Sequence, residues 1–129
     1  MENFIKVIRD SGSKLTAPRK IVLTKLDKAN KPLTLKEIHK RCGNIDFSSV
    51  YRSILLFKEL GLVDEINFAD KKIRYELVSK LHHHHIICSS CGEIKELPIC
   101  IISEIKKLTE YKITKHTFEF MGLCPKCQN

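Results

Sequence analysis

Apolar positions recur at helical spacing through the first sixty residues and switch to short alternating runs beyond them. Phe4, Ile5 and Ile8 follow the helical period until Ser11-Gly12 interrupts it, which predicts a first helix over Glu2 to Asp10. Thr16 is placed to cap a second helix with Pro18 in its first turn, and Ile21, Val22 and Leu26 carry its inner face to about Lys28. Asn30-Lys31-Pro32 reads as a linker. Thr34 and Glu37 then have the spacing of a capping box for a third helix, with Leu35 and Ile38 inward and Gly43 as its stop. A fourth helix is expected from a cap at Ser48 to about Leu60-Gly61, with Val50, Ile54 and Phe57 on one stripe. Ser48 and Arg52 fall on the opposite side, and Tyr51 lies on its flank. Leu62 to Phe68 and Lys72 to Leu77 read as two strands joined around Ala69-Asp70-Lys71. Helices followed by a hairpin is the order of a winged-helix domain.

The pattern then changes. His83 to Cys88 and Glu93 to Leu97 predict short strands around a Cys-Ser-Ser-Cys-Gly turn, Ile101 to Leu108 a helix, and Ile113 to Phe120 a third strand. The chain of 129 residues is therefore expected to be α+β, with a helical head over residues 1–78, a hinge at 79–81 and a Cys/His-rich tail over residues 82–129.

Composition sharpens this division. A formal charge of +8 favours a polyanionic partner such as nucleic acid, unless the lysines only solvate the surface. No apolar run approaches a membrane span and Met1 to Asp10 lacks a signal-peptide pattern, so a cytoplasmic protein is expected. In that reducing compartment, paired cysteines point to metal rather than to disulfides. Cys88 with Cys91, and Cys124 with Cys127, form two separated CxxC pairs, the arrangement of a tetrahedral structural zinc site. Four protein ligands leave no open position for catalysis.

The run His82-His83-His84-His85 leads directly into the first pair. On a strand, His83 and His85 share one face and His82 and His84 the other, which can serve two metal sites. Glu76 and Glu96 are candidates to complete the face of His83 and His85. His116 alternates with Phe118 and Phe120, and its reading as a ligand competes with that of a core histidine. His39 and Cys42 read as surface and core residues. Cys100 is left open between a buried thiol and an extra soft ligand. A zinc hydrolase or deaminase would need a catalytic signature that the chain does not carry, and a zinc-ribbon scaffold that binds a protein partner is the second alternative, which metal-dependent retardation of duplex DNA would discriminate.

The succession "FSSVYRSILLFKELGLV", hairpin, "RYE", "HHHHIICSSCGEIKE", His116 and "GLCPKC" resembles the ferric uptake regulator family over nearly the whole chain. The resemblance implies a metal-dependent repressor of metal-homeostasis genes, a homodimer that binds an inverted-repeat operator in double-stranded DNA, with no small-molecule substrate and no membrane partner. It implies structural Zn²⁺ on Cys88, Cys91, Cys124 and Cys127. A regulatory divalent metal, Zn²⁺ or Fe²⁺, would be held near the hinge by Glu76, His83, His85 and Glu96, and an additional site would use His82, His84, His116 and Glu104. Lys14 and Arg19 of "KLTAPR" would approach DNA together with Ser48, Tyr51 and Arg52. "GEIKELPIC" and "YRSILLFKELG" are similar to the zinc uptake regulators, which favours zinc sensing, with iron sensing next and peroxide sensing third. Two departures stand out. Lys31-Pro32-Leu33 replaces a segment that carries a histidine in many members, and a histidine occupies the third position of the run, where many iron sensors have an acid.

Overall fold

The computed structural model describes residues 1–78 and 82–128, so the hinge expected at 79–81 lies outside the described residues. The chain forms two compact units, one of Met1–Asn67 with Lys72–Val78, the other of Phe68–Lys71 with Ser79–Asn129.

The first unit begins with four helices, α1 (Glu2–Asp10), α2 (Ala17–Lys28), α3 (Leu35–Arg41) and α4 (Phe47–Glu59), followed by β1 (Val63–Asn67) and β2 (Ile73–Leu77). The caps explain the boundaries. Thr16 Oγ1 accepts from the Arg19 N–H, and Thr34 and Glu37 bond each other's backbone in the reciprocal box. At α4 the expected cap is corrected from Ser48 to Asp46. One Asp46 carboxylate oxygen accepts from the Ser49 N–H at 3.0 Å and the other from the Ser49 hydroxyl at 2.7 Å. An anionic cap also complements the positive end of the helix dipole, which a serine cannot do. Ser48 therefore sits inside the first turn.

Ile8, Val22, Leu23, Leu33, Ile38, Val50, Ile54 and Phe57 close this unit's core. β1 and β2 pair antiparallel, with Asp64 opposite Glu76. Leu33 joins them by a two-way backbone bridge to Tyr75, with N···O distances of 2.9 and 2.8 Å. Helices packed under a small hairpin sheet make this the winged-helix domain.

The second unit is built on a three-stranded sheet of order β4 (Ile94–Leu97), β3 (His84–Cys88), β5 (Glu119–Gly122). β4 is antiparallel to β3, whereas β5 runs parallel to it with Glu119 beside His85. The third strand is thus shorter than the expected Ile113 to Phe120. In parallel register, residue 118 meets the start of β3, so residues before it have no ladder to join. Helix α5 covers only Ile102–Lys106 and buries no residue. It has no side-chain cap, and Leu108, expected within it, is 80% exposed. Among the described residues, no helix is long and apolar enough to cross a membrane.

Candidate functional site

The four cysteines of the two CxxC pairs converge. Their sulfurs all lie within 4.8 Å of one another, and Cys91 Sγ is 3.8 Å from Cys124 Sγ. The first knuckle turns through Gly92, whose φ of 79° suits glycine and whose N–H closes on the Cys88 carbonyl at 2.9 Å. The second turns at residues 124–127, where the Cys127 N–H donates to the Cys124 carbonyl. The Cys124 and Cys91 N–H groups each donate to Cys88 Sγ at 3.4 Å and pull its pKa down to about 6. Cys127 goes the other way, pushed up to about 12, first by its contact with Cys124. Such crowding opposes four ionised thiolates unless a cation offsets their repulsion. The donor set and the N–H···S bonds fit a structural divalent ion with thiophilic character.

The histidine run separates by face. The rings of His83 and His85 lie 4.8 Å apart, and those of His82 and His84 lie 4.7 Å apart. This alternation continues one turn of the pleat before β3 begins at His84. On the first face, Glu96 Oε1 stands 4.0 Å from His83 Nδ1. Glu119 Oε2 is 3.4 Å from His85 Nδ1 and accepts the His85 backbone N–H at 3.1 Å. Glu119 is much more enclosed than Glu96, with side-chain exposures of 17% and 58%. Sequence reasoning missed Glu119, because only the parallel pairing of β5 with β3 brings it beside His85. Glu76, the remaining residue expected for this face, lies on β2 in the first unit.

On the other face, His82, His84 and His116 gather with Cys100 so that one ligand atom of each lies within 4.8 Å of the rest. His116 reaches this cluster from an irregular segment, so the strand alternation used to place it does not apply. Glu104, assigned here through the resemblance, is exposed on α5 and is not in the cluster. Cys100 fills that corner instead. His39 has a structural task, its Nε2 lying 2.9 Å from the Ile45 carbonyl, and Cys42 is buried in the core of the first unit.

The first unit presents the residues expected to face DNA. Val50, Ser53, Ile54 and Phe57 turn inward from α4, leaving Ser48, Tyr51 and Arg52 exposed, Tyr51 by 44%. Arg52 Nη2 approaches Ser49 Oγ at 3.5 Å. Lys14 is exposed in the loop before α2, and Arg19 Nη1 donates to its carbonyl at 2.7 Å. Arg19 thereby fixes the loop that carries Lys14.

A winged helix with an exposed polar face on its last helix, beside Cys/His/Glu clusters in a separate unit, defines a metal-responsive DNA-binding regulator. Comparison with known proteins agrees. The ferric uptake regulator family model matches residues 10–121. The peroxide-responsive repressor PerR of Staphylococcus aureus is 29% identical over an alignment of 137 residues that covers 100% of this chain and 92% of PerR. The Helicobacter pylori ferric uptake regulator Fur, described as having three functional metal binding sites, superposes with a TM-score of 0.82 at 28% identity, covering 99% of this chain and 91% of that one. The Vibrio cholerae Fur superposes with a TM-score of 0.79 at 27% identity, covering 92% and 98%. The chain belongs to the ferric uptake regulator family, and is a metal-responsive transcriptional regulator rather than an enzyme.

Proposed function

We propose that this protein is a homodimeric repressor of metal-homeostasis genes that binds an inverted-repeat operator when a regulatory metal is loaded, and that it acts in the cytoplasm, where its DNA partner lies. The observation that carries the reading is the pairing of His83 and His85 with Glu96 and Glu119 in the second unit, in a chain whose first unit exposes Ser48, Tyr51 and Arg52 on α4. Lys14, in the loop that Arg19 bonds, adds a cation directed at the DNA backbone.

In this reading Cys88, Cys91, Cys124 and Cys127 hold Zn²⁺ permanently and keep the tail in its folded form. His83, His85, Glu96 and Glu119 bind the regulatory ion. A divalent ion bound there supplies a charge that neutralises the carboxylates and favours whichever arrangement of the units offers it more ligands. Moving that equilibrium from mostly inactive to mostly active requires about 5.5 kcal/mol of differential affinity. Zinc is the regulatory metal we favour, given the histidine-rich run. A ferrous ion is the second reading, favoured by the carboxylates of Glu96 and Glu119 beside the imidazoles.

The test is His85→Ala in the full-length protein, measured for structural zinc content, dimerisation and operator retardation against free Zn²⁺, Fe²⁺ and Mn²⁺. Zinc content and dimer should persist while metal-activated DNA binding is lost. A variant that gains DNA affinity on metal addition as the parent does would remove this cluster as the sensor, and the metal giving the steepest response in the parent decides between zinc and iron.

A further inference from the structure

Helix α4 carries an apolar ridge along one flank. Phe47, Tyr51 and Leu55 follow one another at intervals of one turn, and they stay 47%, 44% and 46% exposed. Single exposed apolar side chains are ordinary, but three in a row on a helix whose inward face is already complete ask for an occupant. Phe47 is the first residue of the helix, directly after the Asp46 cap. Its ring meets the His39 ring of α3 edge to face, with centroids 5.6 Å apart and planes at 87°. His39 is itself anchored, through its Nε2 at 2.9 Å from the Ile45 carbonyl. One side of the Phe47 ring is thus held by α3 while nearly half of the residue meets solvent. A ring fixed in this way has already lost its rotamer freedom on folding, so a contact made through it costs little further ordering.

In helix-turn-helix proteins the N-terminal residues of the recognition helix are those that reach base edges. Among the groups displayed in the major groove, the thymine C5-methyl is the one met by apolar contact, and phenylalanine makes it. The four residues from Phe47 to Tyr51 advance about 6 Å along the helix, close to the ~6.8 Å of two base-pair steps. We propose that Phe47 is a specificity-determining residue of the operator complex, whose ring contacts a thymine methyl about two base pairs from the one that Tyr51 meets. The proposal rests on the α4 face being the DNA reader and adds to it a residue that forms no hydrogen bond. DNA is the occupant, rather than an apolar protein surface, because the ridge is flanked by exposed Ser48 and Arg52 and the chain carries a formal charge of +8. A methyl contact of this kind distinguishes thymine from cytosine without any polar group on the protein.

The experiment uses the full-length protein, loaded with the divalent ion that gives the strongest retardation, and an operator duplex that the parent selects from randomised DNA. Each thymine is replaced in turn by deoxyuridine, which removes the C5-methyl and nothing else. The parent should lose about fourfold in affinity at each contacted thymine, the share of one buried methyl. Phe47→Ala should weaken binding of the unmodified operator by about fivefold and become indifferent to deoxyuridine at one of these positions while keeping its response at the other. Tyr51→Ala should show the reverse. Phe47→Gln, of similar reach but polar, should repeat the loss, and it replaces Phe47→Ala in the test if circular dichroism shows that variant unfolded. A response to deoxyuridine that matches the parent at every position in both Phe47 variants would overturn the proposal. Uniform weakening over all sequences would overturn it too, by making Phe47 a backbone contact, and so would a parent indifferent to deoxyuridine everywhere. In each of these cases a loss of binding in Arg52→Ala would leave the α4 reading standing, whereas unchanged affinity in Arg52→Ala, Tyr51→Ala and Phe47→Ala together would remove that reading and the proposal with it.

Discussion

Replacing Cys124 by Ser should unfold the second unit and leave the first intact. Among the described residues, the buried apolar residues of the second unit are Phe68, Ile87 and Cys88, whereas those of the first include the full set from Ile8 to Phe57. Burying Phe68 and Ile87 contributes roughly 1.5–3 kcal/mol each. Fixing the backbone costs about 1–2 kcal/mol per residue, so two such side chains offset the ordering of only a few residues. Structural zinc on four thiolates contributes about 10–16 kcal/mol, which changes the outcome for a unit of this size. In the proposed zinc site Cys124 is the ligand that would join the chain's last knuckle to β3, through its sulfur 3.8 Å from Cys91 and its N–H on Cys88 Sγ. Removing it therefore weakens the cation site and the anchoring of β5 together. The assay is hydrogen exchange resolved by peptide, with zinc content and sizing on the same samples. Protection should be lost over β3 and β5 and retained over α2 and α4, with the zinc stoichiometry reduced and the dimer dissociated. A Cys124→Ser protein that kept one zinc per chain and parent-like protection of residues 84–88 and 119–122 would refute the reasoning.

The remaining predictions concern the first unit. Arg52→Ala and Tyr51→Ala should each cost about 1–3 kcal/mol in operator binding and relax base preference, while Lys14→Ala should weaken all sequences alike and flatten the salt dependence. Operator titrations at several salt concentrations check this, and unchanged affinity in all three would exclude the α4 face as the reader. Thr34→Ala should cost about 1 kcal/mol of stability in denaturant unfolding, because the cap of α3 is lost. The Glu37 arm of that box should be pH-dependent. Burial opposes ionisation, but the hydrogen bonds from Thr34 outweigh it and hold the carboxyl below its ordinary value of 4.5. Its contribution is therefore fully present above that value and lost as pH falls through the lower folded-state value. Glu37→Gln, which cannot ionise, should show a shallower decline in stability over this acid range than the parent, and parallel stability curves would contradict it.

Much of this protein could be read from local signals. The box at Thr34 and Glu37, the stripe of Val50, Ile54 and Phe57, and the break at Ser11-Gly12 are determined within a few residues of chain, so α1 to α4 and the hairpin were legible from spacing alone. The same holds for the CxxC pairs, since a two-residue gap aims both sulfurs whatever surrounds them. The two faces of the histidine run followed from the two-residue period of the strand. Three features were decided only in three dimensions. Glu119 became a neighbour of His85 because β5 pairs parallel with β3, a partnership between segments more than thirty positions apart that no local pattern encodes. Cys100, rather than Glu104, lies with His82, His84 and His116, because the stretch before α5 brings it to them while Glu104 stands exposed on the helix. Asp46 took the cap of α4 because a carboxylate one turn earlier satisfies both the amide and the hydroxyl of Ser49, a competition settled by geometry. Periodicity and spacing specify what a segment can form; which distant segment supplies the last ligand depends on the register of the sheet.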